Sequence, residues 1–305
     1  MRLRFASSVP LRPWVFWPPL ILLLTAVAGL TVFPQDALRS LRFLNDQLLD
    51  ILGSVFSLTS FLMLIICTVI LLSPFGKHRI GGKDARPLMS SWRWFSIVLN
   101  TTIATGILFW GTAEPLFHLQ NPPPFAEGQA HSEGAAQTAL EVMFLHWSFT
   151  PYAIYSIPAL LFAIAFYERS AEFGLVACFF PFTGNKRLSP FSRVIDAICL
   201  YALVAGMAAS LGAGILTISS GVERVFGFQP NFLIEMVLVL IVLAFLASAI
   251  SGLMRGIRWL SSINTAVFLI LLFAVLLGGP AEAIVRRSRE ALPAFLLHLP
   301  EMNLS

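Results

Sequence analysis

Seven stretches of this chain contain no Asp, Glu, Lys or Arg: Trp14–Phe33, Ile51–Pro74, Trp94–Ala113, Val142–Tyr167, Ala197–Val222, Met236–Met254 and Trp259–Ala281. A helix crosses a bilayer with about 20 mainly apolar residues, so each is long enough to do so. A segment in lipid must satisfy its own backbone polar groups, which leaves helices or a closed barrel. Barrel strands need only about 10 residues of alternating polarity. These stretches are longer and do not alternate, so they predict an all-α integral membrane protein with about seven transmembrane helices. Composition agrees. Charged residues are 12% of the 305 and apolar types 57%, whereas a soluble domain carries about 25% charge.

The first stretch follows Arg2, Arg4 and Arg12 in the manner of a secretory signal. It is longer than a signal core and reads as a retained span. Orientation follows from Lys and Arg. With the N-terminus cytoplasmic, 14 of the 20 basic residues fall inside, leaving Arg39, Arg42, Arg224, Arg286, Arg287 and Arg289 outside. Phe173–Phe182 is apolar but too short to cross and reads as interfacial. After Pro280, Ile284, Val285, Ala291, Leu292, Phe295, Leu296 and Leu299 recur at helical spacing with Arg286, Arg287 and Arg289 opposite. That pattern predicts an amphipathic helix in the interface plane, bent at Pro293. The chain thus divides into a tail with helices one and two (1–90), helices three to seven (91–280), and an amphipathic external tail (281–305).

Soluble catalytic signatures are missing: the sequence has no Gly-rich phosphate loop and no HExxH. Cys67, Cys178 and Cys199 stand singly, with neither metal nor disulfide spacing. The histidines at 78, 118, 131, 146 and 298 are scattered. Nothing reads as an enzyme, a cofactor site or a metal set, and no basic run interleaved with aromatics indicates nucleic acid. A transport path is the stronger reading.

The most informative segment is FLHWSFTPYAIY, Phe144–Tyr155. In one continuous helix, at about 100° per residue, Trp147, Tyr152 and Tyr155 share one broad face. Ring faces attract cations, Trp best, and a quaternary ammonium has no N–H to donate, so an aromatic cage is its natural receptor. Pro151 lacks an N–H and leaves the carbonyl of Trp147 without its helical partner. Packing or an interfacial belt is the bland alternative. The segment NTTIATGILFWGTAEP, Asn100–Pro115, places Asn100, Thr101, Thr102 and Thr105 in mid-span; such residues suit helix–helix contact or a loosened transport helix. Glu114 is either a buried carboxylate on a permeation route or an exposed helix end. The run SLGAG, Ser210–Gly214, permits close backbone approach.

Four blocks in order resemble the betaine/choline/carnitine transporter family: FWGTAEPLFH (Phe109–His118), LHWSFTPYAIY (Leu145–Tyr155), SLGAGILTISSGVERVFG (Ser210–Gly227) and RWLSSIN (Arg258–Asn264). The resemblance runs from about Pro13 onward. It implies secondary transport of a quaternary ammonium solute of glycine betaine, choline or carnitine type across the cell's inner membrane. Two N-terminal helices would precede the first repeat of a 5+5 inverted-repeat fold. The cage positions fall on Trp147, Tyr152 and Tyr155, with Tyr152 in place of the more usual Trp. The third-span positions are Thr102, Ala104, Gly106 and Phe109.

This sequence departs from the family in three ways. About twelve spans are usual and this chain stops before an eighth, so the resemblance implies a shortened member needing a second-half chain or copies of itself (the family often forms trimers), or else a non-transporting remnant or regulatory subunit. The usual Gly-x-Gly-x-Gly reads Thr102, Ala104 and Gly106. Leu203 and Met207 replace the hydroxyl residues of sodium-coupled members, and Gly106 stands where proton-coupled choline carriers tend to have Asp. Coupling to either ion is therefore unsupported.

Overall fold

The computed structural model describes residues 11–102, 104–126, 128–169, 174–183, 190–227, 230–250 and 253–304. Among these there is no strand. The helices are α1 (Pro13–Val32), α2 (Pro34–Leu72), α3 (Ser91–Thr102), α4 (Ala104–Gln120), α5 (Glu133–Trp147), α6 (Phe149–Glu168), the single turn α7 (Phe180–Thr183), α8 (Pro190–Phe226), α9 (Pro230–Ile250), α10 (Leu253–Gly278) and α11 (Ala281–Leu304). Of the apolar run Phe173–Phe182, Phe173 lies outside the described residues, and the rest forms a short 3-10 turn, Leu175–Phe179, followed by α7.

Among the described residues, five helical segments are long and apolar enough to cross a membrane: Pro13–Val32, Pro34–Leu72, Glu133–Glu168, Ser192–Phe226 and Gly256–Gly278. In α2 no side chain is buried, and Ile51, Val55, Phe56, Leu62, Ile65 and Val69 all stand exposed. A helix apolar all round is stable only in a large core or in lipid. The part of α2 from Ile51 to Leu72 meets the length and composition of a membrane-crossing helix. The sequence stretch Ile51–Pro74 is only the second part of this 39-residue helix, which already starts at Pro34 and carries Asp36, Arg39, Arg42, Asp46 and Asp50 before the apolar part begins.

The chain forms two compact units. The first comprises Met1–Gly53, Arg79–Lys83 and Ile157–Ala209. Asp196 is its polar knot: its buried carboxylate accepts from the Arg12 guanidinium at 2.8 Å and from the backbone N–H of Val176 at 3.2 Å. It thereby ties the start of α1 and the 3-10 turn to α8. A buried carboxylate is stable only when so compensated.

The second unit comprises Ser54–His78, Asp84–Ser156 and Ser210–Ser305. Its core lies between α5 and α11. Ser132 caps α5, its hydroxyl accepting from the N–H of Ala135 at 3.1 Å. Ala135, Thr138, Ala139 and Val142 then recur at three- and four-residue spacing and are buried. Phe295 of α11 is fully buried against Val142, Leu145 and Met302, and its ring stacks on Phe144 at 5.8 Å. Polar contacts run along the same seam. Arg287 bridges Glu133 at 2.6 Å, His298 meets Glu141 at 2.9 Å and the Thr150 hydroxyl donates to Asn303 at 3.5 Å.

The amphipathic tail is therefore a helix, as its spacing predicts. Of its apolar stripe Ala291 and Phe295 are buried, Phe295 against α5, while Val285, Leu292 and Leu296 stay exposed; the helix runs through Pro293 and Pro300 without interruption. Glu133 lies before the charge-free stretch, and the Arg287 guanidinium beside it holds its carboxyl below the usual range.

A polar clasp joins α3 to α10. The Asn100 amide donates to the carbonyl of Ser96 at 2.7 Å, to the carbonyl of Ser261 at 3.1 Å and to the Thr265 hydroxyl at 2.8 Å. The Asn264 amide donates back to the Asn100 side-chain oxygen. Both amides come from blocks the sequence singles out, and their role here is the interhelical glue that suits a membrane interior.

Candidate functional site

The aromatic segment is not one helix. Helix α5 stops at Trp147, and Ser148 adopts φ −121° and ψ −114°. Both the N–H of Ser148, at 3.0 Å, and its hydroxyl donate to the carbonyl of Phe144. A serine that engages the preceding turn competes with the helical ladder. Helix α6 begins at Phe149, which places Pro151 in its first turn, where a missing N–H costs nothing. The disturbance the sequence assigns to Pro151 therefore falls at Ser148. Trp147 belongs to α5, while Tyr152 and Tyr155 belong to α6, so the shared face computed for one continuous helix does not apply. Tyr152 is half-buried and Tyr155 is 54% exposed.

Trp147 is held by a residue the sequence leaves ambiguous. Glu114, on α4, is 7% exposed. Its Oε2 accepts from the Trp147 indole N–H at 2.7 Å. Its Oε1 hydrogen-bonds with Nδ1 of His146 and lies 3.8 Å from Nε2 of His118. The burial of Glu114 excludes the exposed helix end. The two imidazole rings stand 6.2 Å apart. His118 follows Glu114 by four residues on the same face of α4, and His146 comes from α5. This constellation is absent from the sequence reading. Its legible part is the four-residue spacing of Glu114 and His118, and the part the sequence hides is the arrival of His146 from 32 positions away.

Thr102 closes α3, and Ala104, Gly106 and Phe109 lie on α4. Ile103 and the side chains of Thr102, Ala104, Gly106 and Phe109 lie outside the described residues.

A sequence model of the betaine/carnitine/choline family transporter matches residues 14–305, almost the whole chain. The chain belongs to the betaine/carnitine/choline transporter family. It is 30% identical over 292 residues to a glycine betaine transporter of Bacillus subtilis, covering 95% of this chain and 56% of that protein. It is also 30% identical over 259 residues to glycine betaine transporter 1 of Vibrio parahaemolyticus, covering 84% and 50%. An ectoine/hydroxyectoine transporter of Virgibacillus pantothenticus is 29% identical over 234 residues, covering 76% and 46%. The chain spans about half the length of the curated relatives it matches. Glu114 and the indole it holds lie in two of the four blocks that carry the resemblance.

Proposed function

We propose that this chain is the cage-bearing half of a secondary transporter for a quaternary ammonium compatible solute, of glycine betaine, choline or carnitine type, with no enzymatic role. One observation carries the reading. The N–H of Trp147 is engaged by Glu114, so what the indole retains for a ligand is its faces. A trimethylammonium group requires ring faces and offers no hydrogen-bond donor. Tyr152 and Tyr155 follow on α6, and the proposal adds Thr102, Ala104, Gly106 and Phe109 as substrate-binding positions. Leu203 and Met207 carry no oxygen donor, so the reading includes no sodium site there.

In this scheme α1 and α2 are the two extra N-terminal helices, and the first repeat follows from α3 to α10. The chain crosses the inner (plasma) membrane about seven times from a cytoplasmic N-terminus, with the 281–305 tail outside. Two contacts support it: Arg12 pairs with Asp196, and Arg287 with Glu133. The scheme places both members of the first pair on the cytoplasmic side and both members of the second on the other.

The opposite wall would come from a second set of helices or from copies of this chain, the family trimer included. A non-transporting remnant or regulatory subunit is the second reading. Uptake of labelled glycine betaine decides among them, in cells without other carriers. The chain is expressed alone and together with the unmatched half of the Bacillus subtilis relative. Concentrative uptake by the pair only is the expected result. Uptake by neither moves the assignment to the second reading, and uptake by the lone chain removes the half-site.

A further inference from the structure

Glu114, His118 and His146 place three potential ligand atoms within 4.8 Å of one another, and the geometry points to a site for a divalent transition-metal ion of the zinc class. The donor set is two imidazole nitrogens and one carboxylate oxygen, the mixture that suits zinc, with three protein ligands and an open fourth position. Both histidines face the same oxygen, Oε1. The other oxygen is occupied by the Trp147 indole at 2.7 Å, a partner that orients a ligating carboxylate from behind.

Dimensions fit. Two ligands on a tetrahedral zinc with bonds of about 2.1 Å are about 3.4 Å apart, and Nε2 of His118 is 3.8 Å from Oε1. The hydrogen bond between His146 and Oε1 opens to admit the ion. Glu114 and His118 are spaced as two ligands on one turn of helix, and His146 crosses from α5, so the ion would chelate two helices.

Charge asks for it as well. Among the described residues Glu114 has no Lys or Arg partner, although its side chain is only 9% exposed. A buried carboxylate is costly unless charge or hydrogen bonds compensate it, and a divalent ion would supply positive charge there without a proton on either imidazole. The His146 side chain is 50% exposed, which gives the ion a way in.

The site rests on these three side chains and not on the transport reading, so either can fail without the other. The test is a cobalt(II) titration of the full chain in detergent, purified through a tag without histidine, with zinc as competitor. The expected result is one saturable equivalent with the visible absorption of low-coordinate cobalt, displaced by zinc. His146→Ala alters a half-exposed side chain, and its helical circular dichroism and unfolding temperature are compared with wild type to check the fold. The substitution is expected to weaken binding at least tenfold, as are His118→Ala and Glu114→Gln. His298→Ala, which touches the separate Glu141 pair, is expected to leave the titration unchanged. No saturable equivalent, equal affinity in wild type and His146→Ala, or loss of the signal in His298→Ala would each overturn the assignment.

Discussion

Trp147 donates its N–H to a buried carboxylate, and in the proposed cage its ring faces would take the ligand. Substitutions can divide the two contacts. In a transporting assembly, Trp147→Ala removes both. A cation–π contact is worth about 0.5–2 kcal/mol, and 1.4 kcal/mol is a factor of ten, so Trp147→Ala is expected to raise the apparent Kd for glycine betaine roughly 2- to 30-fold. Trp147→Phe keeps a ring face and deprives Glu114 of one donor. Its affinity loss is expected to be smaller, while stability falls by about 1–3 kcal/mol, the cost of an unmet buried polar group. Uptake kinetics normalised to inserted protein, read beside thermal unfolding in detergent, measure the two effects. If Ala and wild type bind with equal affinity, the indole is only a packing residue.

At the scale of elements, the seam between α5 and α11 is where sequence and structure meet most closely. Phe295 falls on the apolar stripe that its spacing predicts, and it is buried. What the stripe packs against was not legible, because an amphipathic pattern fits a headgroup layer and a neighbouring helix equally well. Phe295→Ala empties a closed position, at a cost of about 3–5 kcal/mol. It is expected to release α11 to protease at every pH. In the wild type the Arg287 bridge adds a pH-dependent part. Glu133 has its folded value lowered, so its contribution is complete above the unfolded carboxylate range and disappears as pH falls through the lowered value. Cleavage of the wild-type tail is expected to rise only on acidification. A flat pH profile would dismiss the bridge, and unchanged cleavage of Phe295→Ala would dismiss the seam. Other misreadings have local causes. The charges of α2 before Ile51 look like a loop until the helix is seen to carry them. The break at Ser148 is hidden because serine is common inside membrane helices, while Pro151, three residues later, attracts the suspicion.

For the whole molecule, the apolar architecture was open to reading because lipid forbids charge over long stretches and the sequence obeys. Convergence was not, since Glu114 and His146, or Asn100 and Thr265, meet only through the path of the chain. The side of the membrane on which each end lies is testable directly. With Cys67, Cys178 and Cys199 replaced, Glu282→Cys is expected to react with an impermeant maleimide on intact cells, and Lys83→Cys only after the cells are opened. The reverse pattern would invert the topology.

The clasp on Asn100 also has a history within each round of synthesis. Its amide partners on α10 lie 161 and 165 positions further along the chain. At about 5–20 residues per second, a ribosome needs about 8–33 s to make that stretch. For that interval α3 exists without α10, and a polar amide at membrane depth has no cross-helix partner. The bond to the carbonyl of Ser96, four residues back and 2.7 Å away, needs nothing beyond α3 itself. One amide proton is thus sheltered from the start, and the other waits for a helix that has not yet been made.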